Sequence, residues 1–254
     1  MTSRPVALVT GAAKGIGLAI SRRLAADGFA VALSDIDIRE AEARAVELPD
    51  AVSLEHDVRN PGHARRVVEE TLTRYGRIDV LVNNAGTNIH SHPTAEITDE
   101  DLDFVLDINL KGTFYSTRAV IPTMQAQKAG RIINMSSVLG LKPAPYVAPY
   151  VASKFAVTGL TQSLAAELAK DGITVNSVHP GIVATELHDR VTEGLSRLRG
   201  VSLDAATDYF EKEIPLGRYQ TVDDVAALVA FLASDAAKDI TGSSFKIDGG
   251  MGVA

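Results

Sequence analysis

Short apolar runs alternate with stretches of helical period along the whole chain. The runs Pro5 to Thr10, Phe29 to Ser34, Ala51 to His56, Ile78 to Asn83, Arg131 to Ser136, Ile173 to Val178 and Ser244 to Ile247 read as seven strands. Between them, Ile16 to Ala26, Ala64 to Tyr75, Asp101 to Gln127 and Tyr150 to Lys170 carry apolar residues at helical spacing, each long enough to cross over a sheet. Strands that are apolar throughout are buried on both faces, which means a parallel sheet covered by helices on both sides. The pattern predicts an α/β fold with a doubly wound seven-stranded parallel sheet, in one domain over residues 1–254. Glu186 to Glu213 is helical in pattern but has no strand partner, and is expected to lie over the site as a lid.

Composition narrows the class. Hydrophobic residues make up 46% and charged residues 22% of the 254 positions, the proportions of a packed globular protein. A net charge of -7 disfavours nucleic acid and anionic membranes as partners. The chain has no cysteine, so thiolate chemistry, disulfides and Cys-ligated metals are excluded. His90 and His92 stand two apart in a polar loop without a third ligand nearby, so no metal is expected. Met1 to Pro5 runs into a short strand with no signal-like apolar region, and no 18 uncharged apolar residues follow one another. The expectation is a cytoplasmic enzyme.

The first strand ends in Thr10-Gly11-Ala12-Ala13-Lys14-Gly15-Ile16-Gly17 and leads directly into a helix. Gly11 permits a tight turn, Gly15 lets a ligand approach the backbone, and Gly17 lets the helix press against the sheet. The free N–H groups at the start of that helix suit a pyrophosphate, so the fold is expected to be of the Rossmann, dinucleotide-binding type. The second strand ends at Asp35, 18 residues beyond Gly17, where a carboxylate accepts from the adenosine ribose hydroxyls and repels a 2′-phosphate. Asp35 therefore points to NAD as the cofactor.

The Gly-x-x-x-Gly-x-Gly spacing resembles the short-chain dehydrogenase/reductase superfamily, and the resemblance extends through motifs from Thr10 to Asp248-Gly249-Gly250. It implies that Lys14 and Ile16 belong to the cofactor turn; a basic residue at Lys14 is common in the family's NADP users and pulls against Asp35. It implies that Asp57, followed by Val58, contacts the adenine amino group. It places Asn83, Ala85 and Gly86 beside the adenosine ribose, and Pro180, Gly181, Ile182, Val183 and Thr185 beside the nicotinamide carboxamide.

Tyr150 and Lys154 are four apart on a helical segment and share a face, with Ser137 thirteen residues before the tyrosine. The family's catalytic serine has that spacing, which selects Ser137 over Ser136. Oxidising a secondary alcohol removes a hydride and a proton, so a base must take the proton. A free phenol of pKa ≈ 10 is ionised to about one part in a thousand at pH 7, and an ammonium ~5 Å away is expected to favour the phenolate by about two units. Ser137 is assigned to hold the substrate oxygen. The resemblance implies that Lys154 binds the nicotinamide ribose and that Asn109 helps hold a water against the lysine.

The reading is an NAD-dependent oxidoreductase acting on a small secondary alcohol, similar to the family's sorbitol, galactitol and acetoin/butanediol dehydrogenases. The alternatives are a 3-oxoacyl thioester reductase and a dinucleotide-sensing protein without turnover. The substrate pocket is expected among Val138, Leu139, Lys142, Tyr146, Thr87 to His90 and the lid. Lys142, His90, Asn88 and His188 would supply the hydrogen bonds that suit a polyol, vicinal diol or acyloin. The family also pairs its subunits through the two long central helices and the C-terminal strand, which implies a homotetramer.

Overall fold

The computed structural model describes residues 4–89 and 91–253. Its elements run β1 (Val6–Thr10), α1 (Gly15–Ala26), β2 (Ala30–Asp35), α2 (Ile38–Ala45), β3 (Ala51–Glu55), α3 (Pro61–Tyr75), β4 (Val80–Asn83), α4 (Asp99–Leu106), α5 (Gly112–Gln127), β5 (Gly130–Met135), α6 (Ala148–Leu168), β6 (Ile173–Pro180), α7 (Glu186–Arg199), α8 (Leu203–Lys212), α9 (Val222–Ala233) and β7 (Ser244–Ile247).

All the strand pairings are parallel, in the order β3-β2-β1-β4-β5-β6-β7. Strand order reverses between β1 and β4, and the carboxyl ends on either side of that switch point frame a crevice. One face buries Ile20 and Leu24 of α1 with Val225, Val229 and Leu232 of α9; the other buries Val67 of α3, Met124 of α5 and Leu168 of α6. The seven strands read from the sequence are therefore all present, with ends shifted by a residue or two. Two helices escaped that reading. In α2 only two alanines are buried on a charged segment, and α9 is apolar on nearly every side.

The long helix read over Asp101 to Gln127 is corrected in its interior. Thr98 and Asp101 close a capping box at the start of α4, but Asp107–Lys111 is a wider π-helical turn before α5 resumes. Such turns turn a side chain inward, and here it is Asn109, 1% exposed. The periodicity of apolar residues continues through the turn, so sequence alone did not show it. On α4, α5 and α6, Leu102, Phe114 and Phe155 remain exposed, while the exposed Phe104 lines a cavity over the strand ends. No helix among the described residues is long and apolar enough to cross a membrane.

Candidate active site

A cavity of about 800 Å³ opens over the carboxyl ends of the strands. At its β1 end Gly11 and Gly15 both have positive φ (62° and 56°), the conformation the turn needs and that only glycine adopts cheaply. The start of α1 has no side-chain cap and no acidic residue in its first turn. Its free N–H groups and dipole thus face the cavity, where Gly11, Lys14, Gly15 and Ile16 line the wall. A side chain at Gly15 would stand in the open, with only Thr185 Cγ2 within reach at 3.9 Å. These features fit the pyrophosphate of a dinucleotide.

The turn is stitched to β4. Thr10 Oγ1 accepts from Asn84 N and Ala85 N, both at 3.0 Å, and Asn84 Nδ2 donates to Thr10 O and Gly11 O. A Cβ at Gly17 would collide with Gly11 O and Asn84 Nδ2, so Gly17 serves closure of the turn itself. Asn84 was missed in the sequence reading, which chose its neighbour Asn83. That choice is corrected: Asn83 Nδ2 donates to Thr117 Oγ1 (2.9 Å) and Asn134 Oδ1 (2.8 Å), inside the layer between sheet and helices, and does not line the cavity. Asn83 is the last residue of β4, whereas at Asn84 the chain already turns off the strand, its N–H reaching back to Val82 O at 3.1 Å.

Asp35 ends β2 with both carboxylate oxygens committed, Oδ2 to Ala13 N (2.9 Å) and Oδ1 to Asp37 N (3.0 Å). Backbone therefore holds its charge at the cavity wall beside the glycine turn. Lys14 leans away, paired at 2.6 Å with Glu186 at the start of α7. Asp57 and Val58 line the cavity past β3, but the Asp57 carboxylate is gripped by Arg59 Nη2 at 2.7 Å and by Nε, which holds its carboxyl below the ordinary range. His56 is buried beside it, with burial lowering the imidazole to about 4.

Ser137 follows β5, Tyr150 and Lys154 lie on α6, and all three line one stretch of the cavity. Ser137 O accepts from Gly140 N (2.8 Å) and from His179 Nδ1 (2.8 Å), while Ser137 Oγ caps the following turn through Leu139 N. A carbonyl only accepts, so His179 Nδ1 carries the proton. This buried histidine, read from the sequence only as part of a Pro-Gly turn, holds the serine's backbone in place.

Lys154 Nζ donates to Met135 O at 2.8 Å and stands 5.5 Å from the centre of the Tyr150 ring. Burial raises the Tyr150 phenol above its ordinary value, against a smaller lowering from the Ser137 hydroxyl nearby. Burial also lowers Lys154, to about 8. The expected lysine-lowered phenol is corrected accordingly: desolvation is the larger effect on both groups, because it acts on each charged form separately. Gly86 joins the lysine to Asn109, since a Cβ there would lie 3.5 Å from Lys154 Nζ and 3.4 Å from Asn109 Oδ1. The Asn109 amide itself is spent on Thr87 N, Thr87 O and Ser153 Oγ, so its side chain fixes the loop after β4 and is not aimed at the lysine.

Pro180, Gly181, Ile182, Val183 and Thr185 form the wall past β6. The segment expected as a lid forms α7 and α8, which face the cavity with Leu187, Val191, Leu195, Tyr209 and Phe210. His188 sits within this packing, edge-on to Phe210 and Tyr219 at about 5 Å and bonded to Thr192 Oγ1, and burial lowers its pKa. Tyr146 holds a left-handed backbone (φ 69°), unusual for a bulky side chain, in the loop that leads to Tyr150. Lys142 is exposed at the rim, and His90 lies outside the described residues.

Comparison with known proteins agrees with this geometry. A family model described as enoyl-(acyl carrier protein) reductase matches residues 11–252. The putative ketoacyl reductase of the monensin polyketide synthase from Streptomyces virginiae is 45% identical, over 99% of this chain and 98% of its own length. Among solved structures, an actinorhodin polyketide ketoreductase with NADPH superimposes with a TM-score of 0.95 at 38% identity, covering 99% and 98% of the two chains. An NAD+-bound xylitol dehydrogenase gives 0.94 at 32% identity, covering 97% and 98%. The chain belongs to the short-chain dehydrogenase/reductase family and is an oxidoreductase of that type.

Proposed function

We propose that the chain is an NAD(H)-dependent enzyme that interconverts a small secondary alcohol (a polyol, vicinal diol or acyloin) and its ketone. The cofactor assignment rests on Asp35. Its carboxylate is fixed by two backbone N–H groups at the place of the ribose, and a 2′-phosphate there meets a like charge at a cost of several kcal/mol. Lys14, the residue that would favour NADP, is turned to Glu186. Gly11, Gly15, Ile16 and the free N–H groups of α1 hold the pyrophosphate.

Bound NAD supplies the hydride acceptor in oxidation, and its reduced form the donor in reduction. Ser137 Oγ donates a hydrogen bond to the substrate oxygen. Tyr150 moves the proton: as acid it delivers it to the ketone oxygen, and as base it removes it from the alcohol. Burial keeps the phenol protonated, which suits the acid role, and Lys154 stabilises the phenolate left behind.

A second reading, reduction of a 3-oxoacyl thioester, has its own support in the apolar wall from Leu139, Leu187, Val191 and Phe210 and in the ketoreductases among the relatives. Steady-state rates with NAD(H) and NADP(H) across polyols, diols, acyloins and a 3-oxoacyl thioester decide between them. The proposal requires a higher kcat/KM with NAD and with a hydroxylated small substrate; preference for NADPH and the thioester refutes it. The exposed Leu102, Phe114 and Phe155 support the proposed homotetramer, for which light scattering at micromolar concentration is the check.

A further inference from the structure

The motif Asp248-Gly249-Gly250 turns the chain from the end of β7 back to the cavity. Asp248 is 7% exposed and does not line the cavity, whereas Met251 and Gly252, directly after the motif, do. Both oxygens of the buried carboxylate are spent on closing this turn: Oδ1 accepts from Gly250 N at 3.0 Å and Oδ2 from Gly252 N at 2.8 Å. Met251 N in turn donates to Asp248 O at 3.2 Å. The carboxylate thus grips the backbone on either side of Met251. Hydrogen bonds from backbone N–H to an ionised carboxylate are roughly twice as strong as neutral ones.

The turn is wedged where two walls of the cavity meet. On one side Gly181 N donates to Ile247 O at 3.0 Å, and a Cβ at Gly181 would lie 2.8 Å from Asp248 Cα. On the other side is the segment that leaves α8, where Leu216 N donates to Gly249 O at 3.0 Å. A Cβ at Gly249 would lie 2.6 Å from Ile214 Cγ2, and one at Gly250 3.1 Å from Pro215 Cβ. Glu213, next to that segment, lines the cavity with Tyr209 and Phe210 of α8. Met251 therefore belongs to the side of the cavity formed by the α7–α8 wall, away from the glycine turn.

An unbranched thioether on such a wall fills space and makes no directional demand, so what it controls is the room left for apolar substrate atoms. We propose that Met251 limits the length of substrate the cavity accepts, and that Asp248 is the positioning residue that holds it there. This goes beyond the alcohol–ketone reading and uses it only in placing the reacting carbon in this cavity. Asp248 touches no substrate and acts through the backbone of Met251.

The test is initial-rate kinetics with NAD+ on 2,3-butanediol and 4,5-octanediol, read as the ratio of kcat/KM, long diol over short. One methylene in an apolar pocket is worth about 10- to 200-fold, so Met251→Ala should raise the ratio about tenfold and Met251→Phe should lower it. Asp248→Ala, which leaves every cavity-lining side chain in place, should raise the ratio several-fold, and Asp248→Asn, which keeps one acceptor oxygen, by less. A general loss of activity cancels in the ratio, and the asparagine variant serves if the alanine variant does not fold. Ratios within about twofold of the wild type for both Met251 variants overturn the role of Met251. A ratio moved by the Met251 variants and by neither Asp248 variant overturns the role of Asp248. A wild type inactive on both diols but active on 3-oxoacyl thioesters overturns the small-alcohol reading alone; the same ratio, taken between 3-oxooctanoyl and 3-oxobutanoyl thioesters, then decides on Met251 and Asp248.

Discussion

The half of the cavity under β1, β2 and β4 and the half under α7 and α8 are built by different means. Around the glycine turn, backbone groups do most of the holding: Asp35 is fixed by two N–H groups, Thr10 gathers two more, and α1 presents an uncapped N-terminus. The α7–α8 wall is instead a packing of side chains, with His188 wedged between Phe210 and Tyr219. An exposed ion pair, Lys14 with Glu186, links the two. Backbone cradles suit a ligand part that never varies, whereas a side-chain wall can be recast by substitution without disturbing the sheet.

Removing the proton carrier between the halves tests their independence most severely. Tyr150→Phe should lower kcat by about 10²–10⁴-fold while NADH binding, followed by its fluorescence, persists. Loss of NADH binding in parallel would mean that the cofactor half depends on the catalytic wall. Next in size is Asp35→Ala. Removing the fixed carboxylate should move the NAD over NADP ratio of kcat/KM by on the order of 10²-fold towards NADP, with substrate preference unmoved. An unchanged ratio places cofactor choice elsewhere.

Lys154 gives a subtler test through stability. Burial lowers it to about 8, below the ~10.4 of an unfolded lysine. Between those values the folded chain binds fewer protons than the unfolded one, so stability rises with pH there, by up to about 1.4 kcal/mol per unit. Below about 8 both states carry the proton, and the cost of the buried charge is present in full. Lys154→Met lacks this charge, so its Tm advantage over the wild type, read by thermal scanning, should shrink between pH 7.5 and pH 9.5. A constant difference would show that the ammonium is not desolvated.

The smallest effect belongs to the link between the halves. Glu186→Gln frees Lys14, and because the pair is exposed the change should be a few-fold gain in kcat/KM with NADP and little else. A gain rivalling that of Asp35→Ala would make Lys14 an equal arbiter of cofactor choice.

Periodicity and the order of apolar runs were enough to read the seven strands, the parallel sheet and the crossover helices other than α2 and α9, because those patterns are the direct imprint of burial on both faces. The glycine turn and the spacing of Ser137, Tyr150 and Lys154 were likewise legible, since local backbone geometry and a helical four-residue step are properties of neighbouring residues. What the chain order could not carry was the outcome of contacts between distant segments. Whether Asn83 or Asn84 met the glycine turn depended on where β4 ends beside β1, with Asn83 still paired to Asn134 in the sheet and Asn84 free to bond Thr10 O and Gly11 O. The inward turn of Asn109 required a π-helical step that leaves the apolar period intact. The raised Tyr150 and the lowered Lys154 both follow from desolvation, and only the assembled tertiary structure decides how much water a group loses.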